Sequence, residues 1–462
     1  MKIQSEFYRQ TIRLAVPITL QSVFMALLQL TDQLMVGRLG EETIAAVGIG
    51  GRLYYILSVV LVSIGTGVSV FAAQYWGKKD TRSMGRLLGL GLTLGLSFAA
   101  LFFAAVFFAP GPFVRLFTND PAVAAIGASY AKLAALSYLP TMLTLLYSAI
   151  LRSAGIVRVP MLVNIAAVLV NALLNYLLIF GPGLFPALGV EGSALATVIA
   201  RYLEAGALIA FVYLRKLPGA YRPKELLGFN RELALPFLRV AYPLLLTELL
   251  WVLGETAYAV IYGRLGTAAL TAMTLSGPIQ LLGIGLMTGL SGAAGVMIGN
   301  LLGAGEAEQA MRAARRFSKL AFGGALLLGL AIALLSPFYV AAYDLSETAA
   351  RQSVAVLLVF SLFFCVKVTN MVVSGGILNS GGDSKYVFRM EAGVVWTVGV
   401  PLGAVAAFVW HLPVHWVYFL LSVEELFRMF FGLRRMRSRR WMNNLTEGAS
   451  GAGTQNLGQS FG

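Results

Sequence analysis

Charge is scarce in this chain, and cysteine and histidine are nearly absent. Only 12% of the 462 residues are Asp, Glu, Lys or Arg, about half of the ~25% usual in soluble domains. The one cysteine, Cys365, lies in an apolar run, which excludes a disulfide framework and a cysteine-based metal site. With two histidines, His411 and His415, a transition-metal site is not expected either. No Walker loop, Ser-His-Asp set or metal cluster is present, which argues against an ATP-driven pump and most membrane enzymes. No cleavable signal peptide is expected, because Met1 to Arg13 is polar and the apolar run after it is too long. No cofactor is expected, and the chain does not read as an enzyme.

What fills the space left by charge is hydrocarbon: 58% of the residues are hydrophobic. A water-soluble core cannot absorb that much apolar surface, so the solvent must be lipid. Twelve apolar runs are long enough to span it, at 14–36, 46–76, 87–109, 122–151, 159–180, 190–214, 236–262, 268–302, 317–343, 350–379, 386–410 and 413–433. The net charge of +14 points to membrane topology rather than to nucleic acid, because the basic residues gather in alternate loops. One side carries Lys78, Lys79, Arg82, Arg86, Arg152, Arg158, the segment 215–239 and the cluster 434–440. The opposite loops hold only Arg38, Arg52, Arg115, Arg264 and Arg351. Both termini and the polar linker are therefore expected in the cytoplasm.

A repeat divides the chain. Ala15 to Gly40 returns as Ala241 to Gly266 at an offset of 226, aligning Pro17 with Pro243 and Gly37-Arg38-Leu39-Gly40 with Gly263-Arg264-Leu265-Gly266. Further on, Ile150-Leu151-Arg152-Ser153-Ala154-Gly155 meets Ile377-Leu378-Asn379-Ser380-Gly381-Gly382 at an offset of 227. The expected fold is an all-α integral membrane protein, with twelve transmembrane helices in two six-helix bundles around a central cleft. The expected boundaries are an N-lobe over 1–214, a linker over 215–235, a C-lobe over 236–442 and a disordered Gly/Ser/Asn/Gln-rich tail over 443–462.

Polar groups inside the apolar runs are functional candidates by default, because a mid-bilayer charge costs roughly 2.5–3.5 kcal/mol on insertion scales. In the N-lobe these are Asp32, with Gln29 before it on the same face, and Asn171 and Asn175 one turn apart on the fifth run. The alternative for the amides is hydrogen bonding that merely joins helices. In the C-lobe, Glu248 and Glu255 share a face of the seventh run, and Glu255 is deep enough to hold a proton. Lys367 is the one cation in the stretch LFFCVKVTNMVVS and is expected to face Glu255 as a charge-switched pair. Gln29, Glu248, Trp251 and Gln280 are candidates for lining a substrate cleft. Arg201 with Glu204, and Glu424, Glu425 and Arg428 near the chain's last apolar stretch, read as structural pairs. Lys132 reads as snorkelling to the outer surface.

Several stretches carry a family likeness: TDQLMVGRLG ending the first run, its echo AVIYGRLG, AILRSAG after the fourth, and NLLGAGE after the eighth. Over residues 8–440 the chain resembles the multidrug and toxic compound extrusion (MATE) family of bacterial type. The resemblance implies two helical bundles in a V and an antiporter exporting amphiphilic, often cationic compounds in exchange for protons or sodium by alternating access. It also implies a bacterial plasma-membrane location, contact with membrane lipids and a monomer; the alternative within the superfamily is a lipid-linked oligosaccharide flippase. Asp32 matches the family's aspartate on the first helix, Asn171 the asparagine of an Asn-x-x-x-Asp pair, and Thr197 a threonine ligand on the sixth helix. Asn175 stands where that pair has its aspartate. Glu255 matches a glutamate used in one branch, and Lys367 and Val368 occupy the neighbourhood where that branch has a second acid. Asp32, Asn171, Asn175, Thr197, Glu255 and Lys367 are thus the coupling candidates.

Overall fold

A computed structural model describes residues 2–182 and 186–447. All twelve apolar runs are helical. In the N-lobe they are α1 (Lys2–Gly37), α2 (Glu41–Gly77), α3 (Thr81–Phe108), the bent pair α5 (Pro121–Ala135) and α6 (Tyr138–Ser153), α7 (Arg158–Phe180) and α8 (Gly189–Leu214), with a short α4 (Pro110–Arg115) before α5. After a one-turn α9 (Pro223–Leu226), the C-lobe contains α10 (Arg231–Gly263), α11 (Thr267–Gly303), α12 (Ala307–Ala341), α13 (Glu347–Asn370), α14 (Ser384–Val394), α15 (Val400–Phe408), α16 (Val414–Ser422) and α17 (Glu424–Arg437). Ten of the spans are long and apolar enough to cross a membrane as single helices, and α5 with α6, bent by 43°, makes an eleventh. The twelfth is α16 followed by α17, broken at Val423 and charged just beyond the break. The result is a multi-pass membrane protein of the expected class. Helix α10 begins at Arg231, five residues before the expected edge of its run, because Asn230 caps it by accepting from Leu233 N.

The repeat is visible in the turns. Gly40 and Gly266 close the first hairpin of each lobe at φ 103° and 102°, a region open to glycine and strained for any side chain. It is visible also in an exchange of helix halves. The start of α1 buries Phe7, Leu14 and Ile18 in the C-lobe core. The start of α10 buries their repeat mates Leu233, Val240 and Leu244 in the N-lobe core. Each helix carries its repeat proline, Pro17 or Pro243, at this crossing.

The lobes meet at the end that holds both termini. There Gly77 lies so close to α11 that a Cβ would stand 2.0 Å from Asn300 O, and Gly303 so close to α2 that a Cβ would stand 1.9 Å from Gln74 O. Gln74 Nε2 donates to Ser380 O at 2.8 Å. With its amide turned to donate, Asn300 reaches Ser153 O at 3.2 Å. Gln74 with Asn300, Gly77 with Gly303, and Ser153 with Ser380 are all repeat mates, so the seam is one lock made twice.

The expected tail contains an ordered stretch. Trp441 is fully buried, Gln74 holds Asn443 O and Leu445 N, and Lys78 Nζ donates to Thr446 O. Backbone groups of 443–447 are thus satisfied by side chains of α2 and the turn after it, which a reading by composition misses. Residues 448–462 lie outside the described residues.

Candidate functional site

Two cavities gather the polar side chains of the spans. The first lies inside the N-lobe, about 60 Å³, lined by Asp32, Asn171, Thr197, Arg201 and Glu204 among small apolar residues. Helix α1 delivers Asp32, and α7 presents Asn164, Asn171 and Asn175 on one buried stripe. Asn175 Nδ2 donates to Asp32 Oδ1 at 2.5 Å and Asn171 Nδ2 to Thr197 Oγ1 at 3.4 Å. Glu204, 2% exposed, is held by Arg201 at 2.7 Å and by Asn164 Nδ2 at 2.7 Å. The Arg201–Glu204 pair forms as expected from sequence, but it is also a wall of the cavity that Asp32 enters. Gln29 is exposed and lines neither cavity. Three residues advance a helix by about 300°, roughly 60° short of a full turn, and that offset leaves Gln29 beside the face of Asp32 and on the exposed side.

The second cavity, about 890 Å³, lies between the lobes above the seam. The N-lobe gives α2 from Val62 to Val70 and the end of α6; the C-lobe gives α10, α11, α13, α14, α16 and α17. Glu248, Trp251, Glu255, Gln280 and Lys367 all face it. Lys367 does not close on Glu255 as expected. It pairs with Glu425 at 3.2 Å, and Asn370 Nδ2 donates to the other oxygen of Glu425 at 2.7 Å. Arg428 bridges Glu391 at 3.0 Å and Glu425 at 3.4 Å, and Tyr258 OH donates to Glu424 Oε2 at 2.6 Å. Glu424, Glu425 and Arg428, expected to be structural, therefore form the polar floor of the cleft. They were read by their place near the end of the last apolar run, and position along a run does not report which side chains a helix turns to a cavity. Arg152, counted by sequence among the basic loop residues, also faces this cleft. Five carboxylates (Glu248, Glu255, Glu391, Glu424, Glu425) line it against three cations (Arg152, Lys367, Arg428).

The two lobes echo each other with polarity reversed. Helix α8 carries Arg201 then Glu204; α17 carries Glu425 then Arg428. In the N-lobe Asn164 binds the later member, and in the C-lobe its repeat mate Glu391 does the same. Tyr258 stands at the repeat position of Asp32. Glu391 and Tyr258 were missed by sequence reading, although carrying the 226–227 offset through every polar residue points to both.

Comparison with known proteins agrees with this architecture. A probable multidrug resistance protein NorM of Agrobacterium fabrum is 26% identical over 411 residues, covering 87% of each chain. A multidrug resistance protein NorM of Burkholderia vietnamiensis is 28% identical over 415 residues, covering 86% of this chain and 87% of that one. The crystal structure of the Vibrio cholerae MATE transporter VcmN in the bent form superposes with a TM-score of 0.86 over 96% of this chain and all of that one, at 18% identity. The MatE family profile matches once in each lobe, over residues 17–177 and 243–405, and the chain belongs to that family of membrane transporters.

Proposed function

We propose that this protein is a secondary active multidrug efflux antiporter of the bacterial plasma membrane, with both termini cytoplasmic. It exports amphiphilic, often cationic compounds in exchange for protons or sodium. The observation that carries the reading is the inter-lobe cleft: closed at the termini end by backbone contact, apolar over much of its wall, and holding five carboxylates against three cations. Such a cleft attracts amphiphilic cations. It disfavours a lipid-linked oligosaccharide, whose pyrophosphate would meet an excess of acid.

Asp32 is the proposed coupling group, with Asn171, Asn175 and Thr197 supplying neutral oxygens and amide donors. The Asn175–Asp32 bond is charge-assisted while Asp32 is ionised, and such bonds are roughly twice as strong as neutral ones. A proton or sodium ion arriving at Asp32 weakens that hold of α7 on α1. Because α1 starts in the C-lobe core, a change at Asp32 reaches the seam through one continuous helix. Glu255 and Lys367 act on the C-lobe side, with Lys367 tied to Glu425 until a cationic substrate competes for the carboxylates.

Ethidium efflux from cells stripped of their own pumps tests the reading, with ionophores that collapse either the proton or the sodium gradient. Wild-type cells should extrude the dye, and one ionophore should stop them. Asp32→Asn should abolish extrusion while the protein stays folded in the membrane. Undiminished efflux by that variant overturns the coupling role, and no efflux of any cationic dye by wild type overturns the export reading.

A further inference from the structure

We propose that residues 441–447 are a strap that ties the two lobes together at the termini end of the molecule and must leave the N-lobe each time the cleft opens there. The inference rests on the alternating access of the export reading and adds to it a release step outside the cleft.

Helix α17 is followed by a turn at Arg439, whose φ of 61° is uncommon for a residue with a side chain. Trp441 comes next, buried in the C-lobe core, with its Nε1 donating back to Met436 O at 2.9 Å. A few residues on, Leu445 lies over Gly382 and packs against the N-lobe core. The chain therefore leaves one core and enters the other across the seam. Its anchor on the C-lobe is main chain: a Cβ on Gly381 would stand 1.8 Å from Trp441 O, and Asn443 Nδ2 donates to Gly381 O at 3.0 Å. Its hold on the N-lobe is through Gln74 and Lys78. Gln74 Nε2 donates to Asn443 O at 3.1 Å, Leu445 N donates to Gln74 Oε1 at 2.7 Å, and Lys78 Nζ donates to Thr446 O at 3.3 Å.

A movement of one lobe away from the other at this end must break these contacts, because each end of the strap is fixed to a different lobe. They are also weak enough to break reversibly. Gln74 is 0% exposed and meets the strap with both ends of its amide. Once the strap lifts, water takes over the freed groups, so each bond counts for its small net value and not for a full desolvation penalty. The strap is continuous with α17, whose first turns carry Glu424, Glu425 and Arg428 into the cleft. A movement of that helix pulls on the strap directly.

Labelling of a cysteine placed in the cleft tests this. Thr288 lines the cleft, and Thr288→Cys, combined with Cys365→Ala, is reached by a membrane-impermeant maleimide added from the side of the termini only when that mouth opens. In proteoliposomes, Lys78→Ala should label about fivefold faster than the parent chain, the scale of one hydrogen bond. A chain ending at Met442 keeps Trp441 but loses the whole hold on the N-lobe, and it should label about tenfold faster or more. Leu445→Asp in the full chain should act in the same direction, and it keeps the test decisive if the shortened chain does not fold. A chain ending at Glu447 should label like the parent. Equal rates in the parent, Lys78→Ala, Leu445→Asp and the chain ending at Met442 overturn the strap. So does a chain ending at Glu447 that labels as fast as the one ending at Met442. Ethidium efflux separates the two levels. Extrusion with equal labelling rates sinks the strap alone, whereas a parent chain that neither extrudes ethidium nor labels from this side sinks the export reading beneath it.

Discussion

Arg428 holds two carboxylates, Glu391 and Glu425, in a cleft floor that also carries Lys367. Removing one partner of such a network leaves buried charge uncompensated, which costs about 3–5 kcal/mol. Arg428→Met should therefore lower the thermal midpoint of the purified protein by several degrees. Adding Glu391→Gln and Glu425→Gln should recover much of the loss; an unchanged midpoint in the single variant would show the network to be slack. Residues of this kind were unevenly legible. Asp32, Asn171, Asn175, Glu248 and Glu255 stood out because each interrupts a long apolar run. Glu391 did not, because it follows the basic group Lys385–Arg389 at the start of its run and reads as part of a loop edge. Glu425 and Arg428 read as the frayed end of a span, because they stand near the end of the last apolar run.

At the scale of the element, α1 and α10 are the two helices that belong to both lobes. Pro17 and Pro243 lack an amide proton, so the carbonyls of Arg13 and Arg239 lose their usual helical donor at the crossing. Each helix is thereby weakened where it passes between cores. Restoring the bond with Pro17→Ala and Pro243→Ala together should stiffen both crossings. Turnover should fall severalfold while substrate affinity in nanodiscs changes little, and a double variant with wild-type turnover would remove the prolines from the moving parts. The pairing of these prolines was readable from the repeat. That each half-helix packs on the opposite lobe was not, because the buried positions Phe7, Leu14 and Ile18 are apolar whichever core receives them. The widened π stretch Met371–Leu378 was equally hidden. It follows Asn370 and carries Ser374 toward the cleft; Ser374-Gly375-Gly376 marks a weak point in the helix but not that it widens there.

For the molecule as a whole, the alternating access proposed above requires the seam to open. Gln74 donates across the seam to Ser380 O and Asn443 O, and Asn300 reaches Ser153 O and Ala73 O, with each such bond worth about 1 kcal/mol net. Gln74→Leu or Asn300→Leu should each raise the open fraction at the termini end about fivefold for each bond lost. The two side chains act at one crossing, Asn300 reaching Ala73 O beside Gln74, so their effects couple and the double variant should depart from the product of the two. Labelling of Ser380→Cys by a membrane-impermeant maleimide, added from the side of the termini, reads that fraction. Equal labelling in all variants would relocate the lock elsewhere.

The glycine crossing at that seam has a bioenergetic consequence. Gly77 against Asn300 O and Gly303 against Gln74 O bring main chain to main chain, with no side chain between them. A gap that a single methyl group would overfill has no room for water between the two backbones, so no proton wire passes through the contact itself. The crossing is in this sense a point of electrical insulation. On the coupling proposed above, a cell could carry many copies, each holding acidic groups within the membrane, without a leak of the driving gradient through this contact.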